Sequence, residues 1–167
     1  MSSVPQNVKI TINSVTKKFG EIIPAYSFEV TINNTPLAST GQTLTSLGLT
    51  DVTFSTNANT MSDIGLYYRR GASAVTDLSN PQSLLLSELY NYQFVDGVLT
   101  IDRMPLNVTP KPVTLVYGES INGREIEFDY VYDATNIDLA DQAIYLDSLE
   151  TEHQSAMSSS IVLVDGK

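Results

Sequence analysis

The chain has no cysteine, no tryptophan, one histidine, and only 9 Lys+Arg in 167 residues. Without cysteine there can be no disulfide, no thiolate zinc site and no Cys nucleophile. With 19 Asp+Glu and a net charge of -10, no basic footprint is available for nucleic acid. An acidic surface repels DNA and anionic membranes, and leaves room for weak divalent-cation binding. No stretch approaches the ~18 apolar residues of a membrane span, so no membrane insertion is expected. The opening MSSVPQNV lacks the apolar run of a signal peptide, so an exported form would be an internal piece of a longer precursor. Neither G-x-G-x-x-G nor G-x-x-x-x-G-K-[ST] occurs, and no cofactor is expected.

What is present favours strands. Hydrophobic residues make up 42% of the chain, enough for a packed core. Thr, Ser, Asn, Val, Ile, Leu and Tyr dominate, a mix suited to strands and turns. Val8, Ile10 and Ile12 alternate with polar residues, as do Tyr26, Phe28, Val30 and Ile32. The Asn33-Asn34-Thr35-Pro36 run ends the second of these strands. Leu44, Leu47 and Leu49 suit a packed loop or a short helical turn. DVTFST and IGLYYRRGA read as strands, and SLLLSELY as a brief helix or the start of a strand. In YNYQFVDGVLTID, Asp96-Gly97 is the preferred pair of a type I′ turn. It predicts a hairpin with Phe94 facing Leu99 and Tyr92 facing Ile101. Residues 138–156 predict a helix of about four turns, with Leu139, Ala143, Leu146 and Leu149 on its apolar face.

The beginning of the chain recurs. Ile10–Asn13 matches Leu106–Thr109, and Val15, Phe19, Gly20 and Glu21 match Val113, Tyr117, Gly118 and Glu119 at a shift of 98 residues. The same shift carries Phe28, Val30 and Ile32 onto Ile126, Phe128 and Tyr130. A period near 100 residues implies a string of domains rather than a solenoid. One complete module is expected over residues 7–102, and the N-terminal part of a second, truncated or diverged, over 103–167.

VTKKFGE with its twin VTLVYGE, then SLGLTDVTFSTNANTMSDIGLYY, then NYQFVDGVLTIDRMPLNVTPKP, resemble the MBG family ("mostly beta, glycine-rich", Tyr-Gly-X type). The first copy departs by having Phe19 where Tyr is usual. The resemblance implies a mostly β fold with a minor helical part, a compact β-grasp-like or sandwich-like module in tandem array. It implies a non-catalytic structural, adhesin-like stalk or spacer of a bacterial secreted or cell-surface protein, located extracellularly. Its partners would be neighbouring repeat modules and an extracellular glycan or protein. It supplies no catalytic residues, so no enzyme is expected.

Candidate chemistry is sparse. His153 sits in polar LETEHQSA and reads as exposed surface. Asp138, Asp141, Asp147, Glu150 and Glu152 could attract Ca²⁺, but they lack the spacing of a calcium loop and read as a solvated helix face. Glu29 with Asp51 or Asp63 could in principle form a carboxylate pair, yet nothing in the sequence selects them. Tyr67, Tyr90 and Tyr92 read as cross-strand packing. Tyr68, Arg69 and Arg70 form the one local basic spot and are the candidate ligand contact. Gly20, Asp96, Gly97 and Gly118 are expected at structural turns, the glycines supplying positive φ. The alternative function is a carbohydrate- or protein-binding module with exposed tyrosines as its platform.

Overall fold

The computed structural model describes residues 3–120 and 126–160. It is mostly β, with 34% strand and 20% helix. The chain divides into two compact units. One comprises residues 1–19 and 23–102, the other 20–22 and 103–167.

The first unit contains β1 (Gln6–Ile12), β2 (Val15–Lys18), β3 (Phe28–Ile32), β4 (Thr35–Pro36), β5 (Thr53–Thr56), β6 (Gly65–Ala72), α1 (Pro81–Ser87), β7 (Tyr90–Val95) and β8 (Gly97–Asp102). They form two four-stranded sheets, ordered β4-β3-β1-β7 and β2-β8-β6-β5. The alternation in the sequence decides the core. Val8, Ile10 and Ile12 are at most 1% exposed, and Val30 and Ile32 join them from β3. Leu47 and Leu49, in the loop before β5, are also fully buried in this cluster. Each such side chain contributes roughly 1.5–3 kcal/mol by leaving water.

The predicted hairpin at Asp96-Gly97 is not formed. β7 pairs in parallel with β1, with Ile10 opposite Phe94 and Thr11 opposite Val95. β8 pairs in parallel with β2, with Val15 opposite Leu99. Two bent ribbons, 6–18 and 90–102, therefore run side by side and cross together from one sheet to the other. The serine of the bend takes part, because Ser14 Oγ accepts from the Val98 amide at 3.0 Å. Gly97 is required for closeness rather than for a turn. A Cβ there would run into the carbonyl oxygen of Ile12 and sit 2.9 Å from that of Asn13. Gly71 plays a similar part between the sheets, since a Cβ on it would meet Ile12 Cδ1 at 2.6 Å.

The type I′ turn lies elsewhere, between β3 and β4. Ile32 pairs with Thr35, and Asn33 and Asn34 carry φ of 49° and 68°. Asn33 also fastens the turn to β1: its Oδ1 accepts from the Asn7 amide at 2.9 Å.

The second unit contains β9 (Asn107–Pro110), β10 (Phe128–Val131) and α2 (Leu139–Ser160). β9 and β10 are antiparallel, with Pro110 opposite Phe128 and Val108 opposite Tyr130. In the first unit Ile12 lies opposite Phe28 and Ile10 opposite Val30. The two ladders thus coincide when β1 is moved by 98 residues and β3 by 100. The bond beyond each ladder coincides as well: Asn13 N donates to Ser27 O at 2.9 Å, Lys111 N to Glu127 O at 2.8 Å. Superposing the two ladders sets Ile10 on Val108 and Phe28 on Phe128, whereas the sequence match sets Ile10 on Leu106 and Phe28 on Ile126. Gly20 and Gly118 both hold positive φ, +81° and +91°.

α2 covers more residues than the sequence predicts. Its inward stripe also differs, with Gln142, Tyr145, Leu146, Leu149 and His153 sheltered, whereas Leu139 is 83% exposed. Tyr145 meets Tyr132 edge-on, ring centroids 5.0 Å apart, and is buried on this stripe.

Candidate functional site

β6 takes the expected contact Tyr68-Arg69-Arg70 apart. Successive strand residues point to opposite faces. Tyr68 and Arg70 turn outward, and Arg69 turns in and is fully buried. Outside, the Arg70 guanidinium lies 4.1 Å from the Tyr68 ring centroid, and its Nε donates to Asp96 Oδ2 at 3.0 Å. Both charged groups are about half exposed, so this pair contributes only about 0–1 kcal/mol. The basic spot is thereby neutralised by the acid that was expected to make the turn.

Inside, Arg69 meets no carboxylate among the described residues. Nη1 donates to Pro24 O at 3.2 Å and Nη2 to Ala25 O at 2.9 Å. The guanidinium lies 4.0 Å from the Tyr26 ring centroid, and among the described residues Nε has no hydrogen-bond partner. Burial pushes its pKa down from the ordinary arginine value, and Tyr26 acts weakly in the other direction. Arg69 therefore acts on the segment before β3, which it fastens through two carbonyls and a ring.

That segment borders a groove the sequence did not announce. Tyr26, Phe28, Val30, Leu37, Leu44 and Phe54 line about 390 Å³. Tyr26 and Phe54 stack at 4.8 Å with planes 11° apart, and Phe28 tilts against Phe54 at 5.8 Å. The apolar alternation of β3 could have suggested Tyr26 and Phe28. Phe54 comes from a distant part of the chain and could not be paired with them by spacing.

Asp51, one of the remaining candidates, holds other parts of the chain in place. Asp51 accepts from Ser73 Oγ at 2.6 Å and from Ala74 N at 2.8 Å. These bonds, the Ser73 bond first, hold its carboxyl below the usual range. Asp51 thus ties down the 3-10 turn Ala74–Thr76. Glu29 and Asp63 are exposed.

Tyr92 donates to Leu47 O at 2.7 Å and so fixes the buried loop to β7. Burial first, then Tyr90, pushes the Tyr92 phenol up to about 12. A phenol raised in the folded state stabilises fully below its unfolded pKa near 10, and that contribution is lost as pH climbs through 12. Tyr92→Phe should therefore flatten the loss of stability between pH 10 and 12. It should also cost about 1 kcal/mol at neutral pH. Urea titrations of both proteins at pH 8, 10 and 11.5 would check this, and parallel curves would refute it.

His153 is not exposed surface. Its ring lies 5.6 Å from Phe128 and 5.4 Å from Tyr130. Nδ1 is 2.9 Å from Leu149 O and 3.2 Å from the Tyr130 hydroxyl. It donates to the carbonyl in one tautomer and accepts from the phenol in the other. Only the second of these bonds joins α2 to β10; the ring contacts with Phe128 and Tyr130 join them in both tautomers. Beside it, Lys111, Glu127, Phe128, Tyr130, Glu150 and Gln154 line a polar groove of about 380 Å³. Lys111 Nζ bonds Glu127 Oε2 at 2.9 Å and lies 3.8 Å from Asp129, so this charge too is matched locally. Among the described residues, no three His, Asp or Glu side chains are placed to hold a metal ion. Nor is any described helix long and apolar enough to cross a membrane.

Comparison with family models, curated proteins and solved structures gave no match to this chain.

Proposed function

We propose that the chain is a non-catalytic structural module, with the front of a second copy, from the stalk of a bacterial secreted or cell-surface protein. One observation carries the repeat part of this reading. Four of the five pairs of the β1–β3 ladder have counterparts in β9–β10, with the same flanking backbone bond. The resemblance to MBG modules supplies the surface role. The first unit fits a β-grasp-like description in that its first and last ribbons are parallel neighbours.

The use of polar residues agrees with a scaffold. Asp51, Asp96, His153 and Arg69 each have partners that fix backbone segments or elements. Protease shaving of intact source cells would test the reading. Peptides from residues 3–120 should be released before a cytoplasmic marker, and release only after lysis would overturn it.

The second reading is a binding module, and the groove at Tyr26, Phe28 and Phe54 favours it. Its apolar rings would stack on a sugar face or take an apolar side chain. Chemical-shift changes confined to these residues on glycan titration would move the assignment from spacer to binder.

A further inference from the structure

We propose that the outer side of β5, with the apolar groove beside it, binds an extended basic peptide segment of another protein as a further strand of the sheet β2-β8-β6-β5. The proposal rests on the binding reading of the groove, not on the stalk reading.

The two sheets of the first unit end on β4, β7, β2 and β5. Shortness, proline, lysine or cover blunts most such edges, because a bare edge recruits another strand. β4 is two residues long and contains Pro36. β2 ends on Lys18, and β7 lies against β6 and α1. β5 reads Thr53-Phe54-Ser55-Thr56, without charge or proline. Among the described residues, no strand pairs with its outer side.

The backbone of β5 is set to receive a partner. The Val98 amide donates to Ser14 Oγ at 3.0 Å and so points away from β6. Tyr68, opposite Val98, therefore directs its backbone groups toward β5, and its amide donates to Asn57 Oδ1 at 3.3 Å. By antiparallel alternation Arg70 and Ala72 do likewise, engaging Ser55 and Thr53. Phe54 and Thr56 are left to turn N–H and C=O outward.

The groove suits a peptide better than a sugar. It follows the seam between the sheets, where Phe54 meets the part of β3 that β4 leaves unpaired. Tyr26 and Ser27 alone bring polar side-chain groups to its lining. Ser27 Oγ already accepts from Asn13 Nδ2 at 2.9 Å. Tyr26 stacks on Phe54 and also carries the Arg69 guanidinium, so little ring face is left for a pyranose. An added strand would send every second side chain into this apolar space.

Charge and area select the occupant. Lys17 and Arg69 are buried and Arg70 is matched by Asp96, whereas Glu29 in β3 and Asp51 ahead of β5 are exposed. At a net charge of -10 a second copy is repelled and a basic segment attracted. Self-pairing of a four-residue edge would also bury far less than the ~1,200 Å² of a stable interface.

The probe is the capped peptide Lys-Val-Lys-Val-Lys-Val-Lys, titrated into the full chain. It should shift the amide signals of Phe54, Thr56 and the groove residues. At saturation it should slow exchange of the Phe54 and Thr56 amides by about tenfold or more. N-methylation of the valines and of the lysines, in separate peptides, blocks opposite sides of the added strand. One should weaken binding by about tenfold or more and the other only slightly. A glutamate-for-lysine peptide should bind about tenfold more weakly than the parent. Equal binding of the two methylated peptides, or of the glutamate peptide and the parent, would overturn the proposal. So would protection of Phe54 and Thr56 that arises at high protein concentration without peptide, which assigns the edge to a second copy. Cellohexaose separates the proposal from the reading beneath it. If the sugar shifts the groove signals and the peptide does not, the groove remains a binder and the strand falls. If neither shifts them, the binding reading falls as well.

Discussion

Gly97→Ala should destabilise the first unit by about 3 kcal/mol, and Gly97→Val by at least as much. The reason is the crossing of the two ribbons. Any Cβ at residue 97 is driven into the carbonyl oxygens of Ile12 and Asn13, which are backbone atoms and cannot swing aside. Relief would require the ribbons to separate, breaking the Val98–Ser14 bond and loosening Ile12, which is 1% exposed. The adjacent Asp96→Ala removes only the half-exposed pair with Arg70 and should cost under about 1 kcal/mol. Urea denaturation of the two variants separates the crossing from a hairpin turn. In a hairpin, Asp96 and Gly97 would both matter, and alanine at 97 would cost only about 1–2 kcal/mol, that of a left-handed backbone. A Gly97→Ala protein within 0.5 kcal/mol of the parent, on the order of measurement error, would refute the crossing.

Arg69→Ala is the second large effect, again about 3 kcal/mol. It empties a fully buried site and leaves the carbonyls of Pro24 and Ala25 without donors. Arg69→Met restores most of the volume but neither bond. It should fall between parent and alanine, because two lost charge-assisted bonds outweigh the relief of desolvating a cation with no counter-ion. Hydrogen exchange gives a local readout. The Asn13 amide bonds to Ser27 O, in the segment Arg69 fastens, and should exchange faster in both variants. An Arg69→Met protein more stable than the parent would show that the buried charge is a net burden.

These two residues also show where the sequence was readable. Period-two alternation marks β1 and β3, because burying one face of a strand imposes that pattern. It failed at 90–102 for an instructive reason. A ribbon that bends between sheets and a hairpin both need apolar alternation on each side of a small residue. Asp-Gly suits a hairpin turn, yet the parallel ladders with β1 and β2 depend on residues some 80 positions away. Meanwhile Asn33-Asn34, read only as a strand end, makes the type I′ turn.

Arg69 is legible in the sequence: strand alternation puts it on the face opposite Tyr68 and Arg70, while its charge alone points to the surface. His153 was not readable, since its partners Phe128 and Tyr130 lie on another element. The apolar groove was half readable, through β3, and lacked Phe54 for the same reason.

The parallel ribbons have a mechanical meaning. Gln6 begins one ribbon beside Tyr90, and Asp102 ends the other beside Lys18. A pull applied at these two points draws the ribbons past each other lengthwise. The load then falls on the six pairs of β1 with β7 and the four of β2 with β8 together, rather than peeling them one at a time. Chain entry and exit are thus placed where tension meets the first unit's longest stretch of shared hydrogen bonds, in shear.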